Sequence, residues 1–508
     1  MFASVLAFTA IVLITCYCLY RRSRRRLYEL AAKLPGPFDL PVIGSIHLGF
    51  RRGPTEIINY LIQFLHTVKT PMRAWVGPFL FVAIDQPEHL AIIMNSQDCI
   101  KRSYVYQFFG IQQGLFNASP ELWRKLRKQL NPSFSIANSK SFVPTFNEKA
   151  DKLVAKLECK IGPEMFDIFH MAGDYSLSSA MVNALGIDLD SDNGEYKKRY
   201  LRNAERMFTL MWTRIYKAWL HPDFIYKLTA AYREEKACYK MFQEMSRKVF
   251  EIRKAERRKN PVTLTSSTVR DEDNIRPRQI FIEKLEQIAE ETNVLDEEGV
   301  IENLDTFIFA SNDTTAAAIA STLLLIAMHP NVQERLYQEI TEALPRDYIE
   351  YEDLSKLVYL EMVIKESMRL IPAGAAIARV CEKEIQVGEY IIPANSQIVI
   401  PIFKVHRDKN IWGERSEQFD PDNFAPENCA KRHPYAFLGF SAGIRNCIGI
   451  KYSLINLKIV LAKLVKSYCF STDLRLADLK YVASIVMKIE NGYMIRIEQR
   501  SKKYCTPS

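Results

Sequence analysis

Residues Phe440–Gly449 read FSAGIRNCIG, and the whole chain becomes legible from Cys447 inside that decapeptide. A cysteine taken at random is inert packing. Three neighbours change its chemistry. Gly443 lets backbone approach a flat ligand closely, and Arg445 supplies a permanent charge two residues before the thiol. Gly449 opens Ile450–Ser467 (IKYSLINLKIVLAKLVKS), which has helical period. The first amides of that helix point at the sulfur and stabilise its thiolate, the form that ligates metal.

The other cysteines give no such signal. The chain has 508 residues and 10 cysteines, with no CxxC pair and no Cys/His cluster at zinc spacing. A chain of this length buries a large core without disulfide staples, so reduced thiols in a cytosol-facing domain are expected. It is 48% hydrophobic and 25% charged, the composition of a well-packed globular protein. The net charge of +9 is partly local, because five arginines fall within Arg21–Arg26 (RRSRRR). No basic stripe crosses the rest, which argues against a nucleic-acid partner.

Residues 1–20 (MFASVLAFTAIVLITCYCLY) carry no charged side chain. As a helix they span about 30 Å, the thickness of a bilayer's hydrocarbon. The arginines follow this run instead of preceding it, which predicts a retained transmembrane signal-anchor and not a cleaved leader. By the positive-inside rule everything after residue 26 faces the cytosol. Residues 21–50 read as a basic and proline-rich linker. Its Leu34–Gly44 (LPGPFDLPVIG) has three prolines and two glycines, a stiff non-helical connector.

Residues 51–508 form one large domain, mainly α with a small β part. Helical period predicts helices near 119–130, 142–158, 193–220, 228–257, 278–293, 298–328, 354–370 and 448–467. Strand-like runs lie at 73–84, 384–402 and 483–498, the last with Asn491-Gly492 as a hairpin turn. The polar stretch 258–277 reads as an exposed, mobile loop. Helix 300–328 (VIENLDTFIFASNDTTAAAIASTLLLIAM) is too polar to be a second span. Asp305 and Asp313 would each oppose insertion by about 2.5–3.5 kcal/mol. It reads instead as a long helix through a protein core, with Asn312-Asp313-Thr314-Thr315 amid apolar neighbours, where polar groups need a partner or a purpose.

Two more constellations are ordinary alone. Glu366 and Arg369 stand at i,i+3, as do pairs on countless solvated helix faces. Trp123 and Arg127 stand at i,i+4 on what reads as an amphipathic helix. Their order along the chain gives them meaning. The Cys447 segment resembles the haem-binding loop of the cytochrome P450 superfamily, F-x-x-G-x-R-x-C-x-G, with Phe440, Gly443, Arg445, Cys447 and Gly449 in every fixed position. Glu366/Arg369 resembles its E-x-x-R, Ala310–Thr315 its oxygen-activation motif, and Trp123/Arg127 its W-x-x-x-R. The resemblance covers essentially the whole chain. HPYAFLGFSAGIRNCIG, HRDKNIWGE and FDPDNFAPEN look most like insect members of family 4 or a close relative, although Gly439 and Ile444 replace prolines common there.

This resemblance implies a cytochrome P450 fold with haem b between the long central helix and the Cys-loop helix. Cys447 is then the axial iron ligand, with Phe440 packed near its sulfur. Trp123, Arg127, Arg379 and Arg445 meet the haem propionates. Asp313 and Thr314 are the acid and alcohol that relay protons to bound dioxygen. Glu366 and Arg369 lock the core, with Asn423 where an arginine usually completes their network. Ser311 replaces a glycine. Ala310 stands where many family 4 members carry a glutamate esterified to haem, so no ester forms there.

The implied function is a haem-thiolate monooxygenase that puts one atom of O2 into a lipophilic substrate such as a fatty acid, hormone or xenobiotic. No nucleotide fingerprint is present. Electrons from NADPH therefore arrive through NADPH-cytochrome P450 reductase, with cytochrome b5 as a second donor, docking on a face with Lys431, Arg432 and Lys451. The expected location is the endoplasmic reticulum membrane, hence the microsomal fraction. Substrate-lining residues are expected near Phe108–Phe116, Phe307–Asp313, Ile371–Ile377 and Ser484–Met487. The rival readings are a haem-thiolate isomerase or dehydratase, and a non-catalytic haem-binding sensor or carrier.

Overall fold

The computed structural model describes residues 2–49, 52–188, 195–259, 280–482 and 484–500. All but two residues of the 258–277 stretch lie outside these. The first helix, Phe2–Ser23, buries none of its side chains and is long and apolar enough to cross a membrane. The next, Arg25–Ala32, is packed onto the body. Leu30, Ala31 and Leu34 are core residues, Tyr28 stacks on Trp75 at 4.8 Å, and Arg26 bonds Glu384 at 3.1 Å. Part of the segment expected as a linker is thus folded structure, because its apolar face finds a sheet to cover.

The body is organised around the central helix Glu297–Met328. Asp296 caps it by accepting the Gly299 amide at 2.7 Å, and Glu297 and Glu298 complement its N-terminal dipole. It ends at His329, ahead of Pro330. Small residues (Ala316, Ala317, Ala320, Ser321) let the helix Phe169–Leu185 approach closely, itself rich in serine and alanine. The helices Val358–Leu370 and Ile450–Ser467 (the Cys-loop helix) pack on it too. Glu195–Tyr216 and Ala230–Lys259 form a roof over it, with Tyr200, Phe208 and Phe242 around Phe309.

Eleven strands are described: β1 (Met72–Val76), β2 (Phe79–Ala83), β3 (Gly162–Asp167), β4 (Ile377–Cys381), β5 (Ile385–Val387), β6 (Tyr390–Ile392), β7 (Ser396–Ile400), β8 (Tyr468–Ser471), β9 (Tyr481–Val482), β10 (Lys488–Ile489) and β11 (Met494–Gln499). The main sheet runs β1-β2-β7-β4, with β2 and β7 parallel, so it joins the N-terminal third to the segment after the Glu366 helix. The mainly helical class and the long helices expected from periodicity are present. The run 73–84 is two strands about a Gly77 turn at φ +56. The Asn491-Gly492 turn exists, with Gly492 at φ +76, yet it closes no hairpin. β10 pairs with β9, while β11 pairs with β3 and β8. Side-chain alternation reports strands but not their partners.

Candidate functional site

The Cys loop is closed on itself and seated against Met94. The Cys447 amide bonds the Phe440 carbonyl at 2.9 Å, closing the loop on itself. The Ile444 amide reaches the Met94 carbonyl at 3.0 Å. Gly443 sits at φ +68, where an added Cβ would come within 2.2 Å of the Met94 oxygen. Left-handed strain and the clash together make Gly443→Ala cost about 2–5 kcal/mol. The expected loss of haem-loaded yield and the lower denaturant midpoint are readily measured.

Gly449 caps the Cys-loop helix, and its amide bonds the Cys447 sulfur. Burial pushes the thiol up, while that amide and the Arg127 guanidinium pull it down. Cys447 lies deep in the fold, yet its surface is accessible. The same holds on the central helix. Between Val300 and Ala327 the exposed positions are Ala310 and Thr314, one turn apart on one face. An open thiol and an open helix stripe inside one core mark an internal cleft.

Guanidiniums gather at its margin. Arg445 donates to the Phe116 and Ala118 carbonyls at 3.2 and 2.9 Å and lies 4.8 Å from the Trp123 ring. Arg102 donates to the same Phe116 carbonyl at 3.2 Å and bridges to Arg379 through backbone. Burial, with the neighbouring guanidiniums, brings Arg445 down to about 8 and Arg379 down to about 9. Among the described residues no carboxylate pairs with any of the three. Arg379 Nη1 and Arg445 Nε are buried without a partner. Buried cations with unused donors call for an anionic ligand. A flat group with two carboxylates at one edge and a thiolate-seeking metal at its centre fits, and haem is such a group.

Arg127 reaches the Cys loop from the helix Pro120–Leu130. Its Nη1 and Nη2 hold the Asn446 carbonyl and Oδ1 at 2.9 and 2.8 Å, so it clamps the residue before Cys447. Arg102 and Asn446 went unnoticed in the sequence, where no motif singles them out.

Asp313 is buried, with Oδ2 unpartnered, and burial pushes its carboxyl up. The Thr314 hydroxyl donates to the Ala310 carbonyl at 2.5 Å and that of Ser311 to the Phe307 carbonyl at 2.7 Å. The Ser311 hydroxyl is therefore satisfied within its own helix. Phe307, expected beside the substrate, packs between helices against Phe281 at 4.7 Å, near Phe134 and Tyr452. The Met487 amide ties 484–487 to the Ala373 carbonyl at 2.8 Å, joining two expected pocket segments.

Glu366 and Arg369 are fully buried and bonded at 2.7 and 2.8 Å. Arg369 also donates to the carbonyls of His406, Ser416 and Gln418. Asn423 Nδ2 reaches Glu366 Oε1 at 3.1 Å, taking the third place by a neutral hydrogen bond. His406 extends the network. Its Nε2 accepts the Leu438 amide at 2.8 Å, which leaves Nδ1–H to donate to the Arg369 carbonyl at 3.2 Å. Burial and the Arg369 and Arg407 charges keep it neutral, down to about 3. The buried ion pair is thereby wired to the start of the Cys loop. Lys431 and Lys451 are exposed, as are Arg124, Lys125 and Lys128. Arg432 is half-buried over the Trp412 ring at 4.3 Å.

Comparison with known proteins agrees with this geometry. The family model described as cytochrome P450 matches residues 34–496. Cytochrome P450 4c3 of Drosophila melanogaster is 30% identical over 494 residues, 95% of this chain and 92% of that protein. Probable cytochrome P450 313a4 of the same organism is 31% identical, over 94% and 96% of the two chains. Cytochrome P450 4c21 of Blattella germanica is 30% identical, over 98% and 99%.

Proposed function

Because the chain belongs to the cytochrome P450 family, and so to the haem-thiolate monooxygenases, we propose that it oxygenates a lipophilic substrate at the membrane surface. The substrate class is a fatty acid, hormone or xenobiotic, and NADPH-cytochrome P450 reductase delivers the electrons. Bound haem supplies dioxygen activation. The chain's own residues do the rest. Cys447 offers the thiolate, and Arg102, Arg379 and Arg445 hold the two carboxylates. The Asp313 carboxyl and Thr314 hydroxyl move protons into a cleft kept dry by the buried central helix. Asp313→Asn removes the acid and is expected to lower turnover by roughly 100-fold, measured as product per NADPH consumed.

The open Cys447 thiol and Thr314 face within one core, beside unpaired arginines, carry this reading. The apolar first helix supports attachment to the endoplasmic reticulum membrane, with the body on the cytosolic side. Lys431, Lys451, Arg124, Lys125 and Lys128 are exposed cations, and the proposed docking face for an acidic flavoprotein, and for cytochrome b5, draws on them. The test reconstitutes the haem-loaded chain with reductase in lipid vesicles. NADPH-dependent product from a lipophilic panel is expected. Turnover that needs neither NADPH nor reductase would mark an isomerase or dehydratase. Haem binding without NADPH consumption under any ligand would mark a carrier.

A further inference from the structure

The Asp313 carboxyl has a neighbour outside the motif that singled it out. Lys488, on β10, places Nζ 4.0 Å from Asp313 Oδ1 and 2.9 Å from Glu205 Oε1. Its side chain is 15% exposed, that of Asp313 12% and that of Glu205 50%, so the ammonium stands between buried and open carboxylates. Three separate elements meet there: the central helix, the roof helix Glu195–Tyr216 and the strand pair β9-β10. Nζ lies 4.4 Å from the Phe169 ring centre, a contact that helps fix the side chain.

The other charged or titratable groups around it are accounted for. Tyr493 stays a neutral phenol, raised by burial, with the charges of Asp313 and Asp167 adding to the effect. Arg206, beside Glu205, is held by Glu234 at 2.5 and 2.8 Å. Among the described residues Lys488 is the cation within ion-pair distance of Asp313. Burial pushes the Asp313 carboxyl up, Lys488 pulls it back, and Glu205 pushes it up again.

We propose that Lys488 is a positioning residue for Asp313, and that its shared ion pair with Glu205 makes the charge on Asp313 depend on where the roof helix sits. This deepens the monooxygenase reading and rests on it. One ammonium divided between two carboxylates favours the shorter contact. With the roof as found, Glu205 takes the larger share and Asp313 holds its proton more readily. A lipophilic molecule lodged under the roof lifts Glu205 away and leaves the ammonium to Asp313. The carboxyl then releases its proton toward the Thr314 side, and the carboxylate stays paired with Lys488 until water at the Glu205 opening reprotonates it. Substrate entry and proton supply are coupled through one lysine.

The test uses the full-length, haem-loaded chain with reductase in vesicles, comparing wild type, Lys488→Gln, Lys488→Arg and Glu205→Gln. Because Asp313 acts as the proton donor, the alkaline limb of the pH profile for product per NADPH is expected to move up by about one pH unit in Lys488→Gln. It should move down in Glu205→Gln and stay in place in Lys488→Arg. A second readout needs no turnover. The thermal midpoints of Asp313→Asn, Lys488→Gln and their double variant should be non-additive at pH 8 and additive below the Asp313 titration. Unmoved alkaline limbs in both glutamine variants, or additive midpoints at both pH values, overturn the proposal. Absence of NADPH-dependent product from wild type overturns the monooxygenase reading instead, and the thermal cycle still decides the Lys488 pairing.

Discussion

Cys447→Ala is expected to abolish the thiolate-type Soret band in the reduced carbon-monoxide difference spectrum and to reduce NADPH-dependent oxygenation to background. In the proposed role the thiolate would donate electron density to haem iron, and no other described cysteine borders the open stripe and a helix N-terminus as Cys447 does. Cys99, Cys238 and Cys381 are buried in packing, and Cys16 and Cys18 lie on the first helix. Serine at any of the other nine positions should leave the band in place. The fold should survive loss of Cys447. Its sulfur takes one amide bond, from Gly449, and the loop is closed by backbone bonds that alanine keeps. A denaturant midpoint within about 1 kcal/mol of wild type is expected for the haem-free protein, typical of a substitution that opens no cavity. A thiolate band persisting in Cys447→Ala would move the ligand to another residue. A protein that failed to fold would make Cys447 a structural residue as well.

The parts of this molecule legible in its sequence are those whose information is local. FSAGIRNCIG carries its turn glycine, its proposed ligand and its helix start within one decapeptide, and the central helix announces itself by length, period and flanking Gly299 and Pro330. The helix Phe169–Leu185 does not. Both its faces are buried, so no polar stripe interrupts its run of small residues and no amphipathic period emerges. Arg102 joins the arginine cluster through its bridge to Arg379 and the Phe116 carbonyl that it shares with Arg445, contacts between distant parts of the chain. The Arg127 clamp on Asn446 and the Lys488 contact with Asp313 are equally non-local. A motif can name Arg127 as a haem-edge residue. What the guanidinium grips depends on how the Cys loop is seated against its helix. The strand pairings failed for the same reason: β2 finds β7 across hundreds of residues, and alternation within β10 and β11 cannot say that they avoid each other.

The second large effect concerns the buried pair behind that loop. Arg369→Ala is expected to cost about 3–5 kcal/mol and to leave little haem-loaded protein, because it strands a carboxylate in the core. Both side chains are fully inaccessible, and every Arg369 nitrogen is engaged: Nε and Nη2 with Glu366, Nη1 with the His406 and Ser416 carbonyls, Nη2 also with Gln418. Glu366 in turn accepts the Asp420 amide at 2.9 Å and Asn423 Nδ2 at 3.1 Å, so it cannot escape by turning to solvent. Lysine does not rescue, since one ammonium cannot fill a fork that meets a carboxylate and three carbonyls. The damage should reach the Cys loop, because His406 carries the Arg369 carbonyl's hydrogen bond through to Leu438, two residues before Phe440. Asn423→Ala removes a single neutral donor and should cost only about 1 kcal/mol. The order Arg369→Ala, then Lys488→Gln or Asn423→Ala far behind, is checked by denaturant midpoints on the haem-free chain and by holoprotein yield. An Arg369→Ala midpoint within about 1 kcal/mol of wild type would show that the pair is dispensable to the fold, and the wiring from Glu366 to Cys447 would fall with it.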